Sequence, residues 1–139
     1  MRGNANITIY NKKTVGRQTY WKRTQIKEVN FFGSDEARLS GHHARHELLS
    51  ADEYTIRIPD GAYAEGKSYA DRYTFRALDL DEIDNYWSAA AGDLIVKKLI
   101  DDEISSPSEL ALKYDIMTVM SATENFRGMA TRHLKLVCK

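Results

Sequence analysis

Short runs of alternating apolar and polar residues recur along this 139-residue chain, without a regular alternation of strands and helices. "YTIRIP", Tyr54 to Pro59, is the clearest of them. Tyr54, Ile56 and Ile58 fall on one face and Thr55 and Arg57 on the other, which is the period of a half-buried strand. Pro59-Asp60-Gly61 then supplies turn chemistry. "NITIYN", Asn6 to Asn11, sets Ile7 and Ile9 against Thr8 and Tyr10. "QTYWKRTQIKEVNFF", Gln18 to Phe32, is rich enough in aromatic and β-branched residues for one long bent strand or two. Its inward set is Trp21, Val29 and Phe31, or the alternate set with Tyr20 and Ile26. A change of phase between the two requires a bulge. "GDLIVKKLI" (Gly92 to Ile100), "IMTVMSATEN" from Ile116 and the closing "HLKLVCK" add further strands, with "NFRGMATR" as a turn hinged at Gly128.

Only "SSPSELALKYD" carries a full helix signature. Ser106 is placed as N-cap, Pro107 at the first helical position, and Glu109 where it completes a capping box. Leu110 and Tyr114 share a face of a helix of two to three turns. One more helical turn is expected near Asp79 to Asp84. Five to seven strands with one short helix and no strand–helix–strand alternation predict a mainly β domain, a small barrel or sandwich. The expected core is Ile7, Ile9, Tyr54, Ile56, Ile58, Leu94, Val96, Val119, Leu134 and Leu136. The whole chain, 1–139, is long enough for one such domain. Two long excursions leave it, a polar connection from Gly33 to Glu47 and an irregular, tyrosine-rich insertion from Ala62 to Gly92.

Composition narrows the function. Lys+Arg and Asp+Glu are both 20, so the basic surplus of a phosphate-gripping protein is missing. A net charge of zero favours self-association. Cys138 is the only cysteine, which rules out an intrachain disulfide and any cysteine-based metal framework. It is expected as a buried or edge-strand thiol. With no apolar signal core at the N-terminus and no membrane-length apolar run, the expectation is a protein made in the cytosol, with no membrane partner.

The histidines raise the question of chemistry. His42, His43 and His46 lie within five residues, and only His133 lies elsewhere. His42 and His46 have helical spacing, but the zinc-protease pattern needs glutamate directly after its first histidine, and His43 stands there. On a strand the two would lie about 13 Å apart, too far for one ion. "DLDEID" lacks the glycine and closing glutamate of a calcium loop. No nucleophile elbow, phosphate-binding loop or dinucleotide fingerprint is present. The reading is therefore not an enzyme, with no cofactor and no metal ligands. Tyr69, Tyr73, Tyr86 and Trp87 crowd the insertion. They either pin it to the barrel or lie at a subunit contact, to which Phe126 and Arg127 are added as candidates.

Taken in order, "NANITIYN", "YTIRIP", "GDLIVKK", "SPSEL", "IMTVMSATENFRG" and "HLKLV" resemble a family of small proteins encoded in the head–tail region of long-tailed phages. The layout is similar to the head-closure, or stopper, proteins of siphophage necks. The resemblance implies a β-barrel subunit that assembles as a ring, a hexamer or dodecamer. That ring sits between the portal–adaptor assembly and the tail or tail-terminator proteins, in the neck of the virion. It also implies a loop between early strands that reaches into the channel near the packaged DNA. By order, that loop is Gly33 to Glu47, with Arg38, His42, His43, Arg45 and His46 as candidate channel residues. The Ala62 to Gly92 insertion and the helix after Ser106 are additions to a minimal barrel of that kind. Two other readings are another neck or tail-completion subunit and a small metal- or carbohydrate-binding protein. Since a structural zinc site is folding energy, excess EDTA is expected to leave the melting temperature unchanged. A large drop restored by zinc would revive the metal reading.

Overall fold

The computed structural model describes residues 3–33, 53–127 and 132–139. Alternating segments become β1 (Ala5–Val15), β2 (Gln18–Phe32), β3 (Tyr54–Pro59), β6 (Leu94–Val96), β7 (Ile116–Asn125) and β8 (His133–Cys138). They close into an antiparallel barrel in the order β1-β2-β3-β8-β7-β6, with β6 returning to β1. Closure satisfies the ladder hydrogen bonds without leaving the sheet a free border along the paired region. A barrel this narrow has an interior that side chains fill. Ile7, Ile9, Ile26, Val29, Ile56, Ile58, Ile95, Val119, Leu134, Leu136 and Cys138 form that interior. Burial pushes the Cys138 thiol up to about 12.

β1 departs from its expected half-buried pattern. Every residue from Ile7 to Asn11 is buried, so Thr8 and Tyr10 do not face solvent. The segment after β6 folds back over the outside of the barrel and covers them. Thr8 Oγ1 donates to the Lys98 carbonyl at 2.7 Å and accepts from the Ile100 N–H at 3.0 Å. Tyr10 Oη donates to the Asp102 carbonyl at 2.6 Å. The result is a second apolar layer of Tyr10, Trp21, Leu94, Val96, Ile100 and Leu110. Leu94 and Val96 are thus buried as expected but outside the barrel, and Ile95 between them points inward. Tyr54 is only half-buried and lies against Phe31, with ring centroids 5.3 Å apart. The strand read across Gly92 to Ile100 is only Leu94–Val96, because the chain leaves the sheet to make this cover.

β2 is one continuous strand, and the expected bulge is in it. Ala5 pairs with Val29 but Ile7 pairs with Ile26, so β2 carries an extra residue there. Glu28, at φ 59°, absorbs it in the left-handed region. The inward phase is therefore even up to Ile26 and odd from Val29, and Trp21 serves the outer layer. Asn4 extends the ladder with its side chain: Oδ1 accepts from Phe31 N–H at 2.8 Å and Nδ2 donates to Phe31 carbonyl at 3.1 Å.

The helix signature is real but short. α2 spans Pro107–Ala111, less than the two to three turns expected, and Ser106 makes no side-chain cap bond. Glu109 Oε2 instead accepts from Ser105 N–H at 2.6 Å. The helix exists to seat Leu110, 1 % exposed, on the outer layer. α1, Arg72–Ala77, and a 3-10 turn, Ile83–Asn85, lie in the insertion. The turn falls at the edge of the Asp79 to Asp84 expectation, and α1 was not anticipated.

Ile56 is fully buried at the centre of the barrel. Ile56→Asp puts an unpaired charge there, at a cost of several kcal/mol, roughly the 5–15 kcal/mol stability of a small domain. The variant is expected to be insoluble or to lack a cooperative thermal transition. A soluble variant with wild-type circular dichroism would contradict the inside face assigned here.

Candidate functional site

β6 pairs with β1 and β7 through three residues each way. Beyond Leu94 the longer strands β1 and β7 run on, and the end of the insertion bonds to Asn11 and Lys12 of β1 and to Val119 of β7. Its polar anchor is Asp93, 4 % exposed. One carboxylate oxygen accepts from Lys12 N–H at 2.9 Å. The other accepts from Asn11 Nδ2 and from Ala90 N–H, each at 2.9 Å. Asn11 adds a bond to the Ser88 carbonyl at 2.7 Å and accepts from Ser88 N–H at 3.1 Å. Asp93 carbonyl also accepts from Val119 N–H at 2.8 Å, so one residue ties β1, β7 and the end of the insertion together. Burial raises the Asp93 pKa, and its bonds to Lys12, Asn11 and Ala90 oppose that rise.

Apolar contacts hold the rest of the insertion. Tyr69 meets Trp87 at 5.0 Å and Phe126 at 5.8 Å, both edge-on. Tyr69 Oη donates to Glu124 Oε2 at 2.7 Å, and burial followed by this bond pushes its phenol well above the usual range. β4 (Ser68–Tyr69) and β5 (Tyr86–Trp87) form a small parallel pair within the insertion. Phe75, Ile83 and Ala70 make a satellite core beneath α1, with Tyr86 packed on it. Asp71 caps α1 by accepting from Tyr73 and Thr74 N–H, each at 2.9 Å.

The candidate interface residues therefore separate. Trp87 is 5 % exposed and, with Tyr69 and Phe126 packed beside it, pins the insertion to the barrel, which is one of the two readings given for Tyr69 and Trp87; Phe126, named only for a subunit contact, joins the same cluster. Tyr86 serves the satellite core. Tyr73, 68 % exposed, and Arg127 remain on the surface. The candidate channel residues Arg38, His42, His43, Arg45 and His46 lie outside the described residues, as does the Gly128 hinge. His133 is on β8, its ring 3.2 Å from Asn125 Nδ2. Among the described residues no group of three or more His, Cys, Asp or Glu is arranged to hold a metal ion.

Two clefts flank α1 and share Arg72. One is lined by Asn11, Lys12, Lys13, Arg76 and Asp93, the other by Tyr69, Tyr73, Ala122, Thr123 and Glu124. Lys13, buried, donates to the carbonyl of Arg76 at the end of α1. A further charged group lies on the outside of β2, where Arg23 Nη2 meets Glu103 at 2.9 Å and Lys67 Nζ donates to the Arg23 carbonyl at 2.7 Å. The importance of Asp93 was hidden in the sequence because Gly-Asp reads equally well as a plain turn.

Asn at position 93 would place an NH₂ against one of the three N–H donors. Asp93→Asn is therefore expected to destabilise by about 1–3 kcal/mol, read from urea midpoints at neutral pH. Because the folded-state pKa is raised, wild type also has a proton-linked stability that is fully present below the ordinary carboxylate range and is lost as pH rises through the raised value, which leaves the three hydrogen bonds as the contribution at neutral pH. The gap between wild type and variant is expected to narrow over that rise. An unchanged midpoint would remove Asp93 as the anchor.

The model of DUF6751, a family of unknown function, matches residues 2–139, almost the full chain. No curated protein and no solved structure matches it significantly.

Proposed function

Since the chain belongs to DUF6751, we propose for this member a structural role in the neck of a tailed phage, as the head-closure ring that joins the portal–adaptor assembly to the tail and helps retain packaged DNA. One observation carries the reading. Each segment on which the resemblance rests is an element of the barrel or is packed on it: "NANITIYN" runs into β1, "YTIRIP" is β3, "GDLIVKK" contains β6, "SPSEL" opens α2, "IMTVMSATENFRG" contains β7 and "HLKLV" lies in β8. The similarity therefore follows a folded framework rather than scattered words. The balanced charge of the chain is also in keeping with a subunit that packs against copies of itself.

In this reading copies form a ring, with six- or twelvefold symmetry, and contact portal–adaptor and tail proteins on its two sides. The connection from β2 to β3, with Arg38, His42, His43, Arg45 and His46, stands by order where the resembling proteins carry their channel loop. That assignment is part of the proposal and rests on the resemblance.

The test is genetic. In a phage or inducible prophage that encodes the chain, a nonsense mutation in its gene is expected to leave capsid assembly and the start of packaging normal. Heads then lose DNA and accumulate beside free, complete tails, and a plasmid copy restores the titre. Mass spectrometry of wild-type virions should find the protein. Infectious particles at normal titre from the mutant, or virions without the protein, would refute the assignment.

A further inference from the structure

The barrel closes only where β6 bridges it, and β7 continues past that point with one edge that no described residue pairs with. Thr118 exchanges backbone bonds with Lys139, at 2.9 and 3.0 Å. After the register shift between Val119 and Ser121, the residues facing β8 are Ser121, Thr123 and Asn125. Ala122 and Glu124 then turn their N–H and C=O groups away from β8. On that side Val119 bonds to Gly92 and Asp93, and beyond it no described residue pairs with Ala122 or Glu124. Natural edges are blunted by charged side chains, lysine above all, or by proline. β7 has no lysine or proline and a single charge, Glu124, and Met120 beside the edge is 52 % exposed. The cleft lined by Tyr69, Tyr73, Ala122, Thr123 and Glu124 runs alongside. An open edge with pockets next to it is the arrangement that accepts an added strand.

The same molecule carries a matching edge. β1 and β2 are joined by a two-residue turn, Gly16-Arg17, with Val15 and Gln18 as the closing pair. Alternation from that pair turns the backbone of Thr19, Trp21, Arg23 and Gln25 away from β1. Gln25 N–H is taken by Glu65 and Arg23 carbonyl by Lys67. Thr19 and Trp21 have no backbone partner among the described residues on that side. Charge matches as well. From Asn11 to Gln25 the hairpin carries Lys12, Lys13, Arg17, Lys22 and Arg23 and no acid, whereas Ile116–Asn125 carries Glu124 and no cation. Asp84 and Glu103 pair with Lys22 and Arg23, which leaves Lys12 and Arg17 exposed at the tip. Arg72 is the cation in the receiving cleft.

We propose that the β1–β2 hairpin of one copy adds as a strand to the open β7 edge of the next. Trp21 lies opposite Ala122 and Thr19 opposite Glu124, and Arg17 lies near the Glu124 carboxylate, on the oxygen that Tyr69 does not use. The contact joins two different surfaces, so repetition gives a ring when the rotation closes. The inference rests on the ring reading above and supplies its subunit contact.

Sedimentation of the full chain across micromolar to near-millimolar concentration is the test, with circular dichroism and melting curves to verify folding. Wild type is expected to self-associate. Ala122→Pro removes an outward N–H that the barrel does not use, and it should weaken association at least about tenfold. Glu124→Lys should weaken it similarly, and adding Arg17→Glu should restore it. If Ala122→Pro does not fold, the charge exchange decides alone. Wild type that stays monomeric throughout overturns the pairing, while the neck reading still stands or falls on the phage phenotype. Association unchanged in Glu124→Lys, or not recovered in the double variant, overturns the hairpin as occupant, including the case in which another segment of the copy or another protein takes the edge.

Discussion

The three bonds on the Asp93 carboxylate hold the molecule together at its narrowest point. Six strands make the barrel, but only Leu94–Val96 completes the circuit between β1 and β7. A three-residue strand contributes few ladder bonds, and its neighbours run on beyond it. Asp93 compensates by accepting from both β1 and the end of the insertion with its side chain, and from β7 with its backbone. Burying a carboxylate is costly unless its oxygens are satisfied. Here both oxygens are, which makes the anchor dependent on all three donors being in place.

From that anchor the rest of the architecture follows. The end of the insertion bonds to both neighbouring strands, and its aromatics are turned inward as ties. Tyr69, Trp87 and Phe126 form an edge-on cluster against the barrel interior, and Phe75 and Ile83 build a smaller core under α1. On the other side, the chain after β6 covers the outer face of β1 and makes a second apolar layer. The barrel is thus packed on both faces along β1, while the backbone of the far half of β7 has no partner among the described residues on the side away from β8.

That asymmetry is what the proposed assembly uses. The interior and the covered outer face provide stability, and the strand ends that no described residue pairs with are the proposed contact surface. The projecting β1–β2 hairpin and the open β7 edge are both extensions of strands beyond the paired barrel, and they differ in charge. In the proposed ring the assembly surfaces lie on the same strands that form the core, so the contacts would be held by rigid elements.

Much of the framework was legible in the sequence because strand periodicity is local. Ile7, Ile9, Ile56, Ile58, Val119, Leu134 and Leu136 follow a period of two and are buried as read. The change of phase in β2 was visible as two competing inward sets. The capping residues placed α2, although the helix stopped after five residues, with Leu110 its one buried residue and Tyr114 packed on the same outer layer just beyond it. What the sequence could not decide were relations between distant segments. Whether Leu94 or Ile95 faces the interior depends on a cover that arrives from residues 97–115. Whether Trp87 is a surface or a tie depends on Phe126 meeting it through Tyr69. Whether Gly92-Asp93 is a turn or an anchor depends on Asn11 and Lys12, some eighty positions away. Periodicity assigns a residue to a face of its own strand. Only tertiary packing decides what lies against that face, because burial, pairing and desolvation belong to both partners.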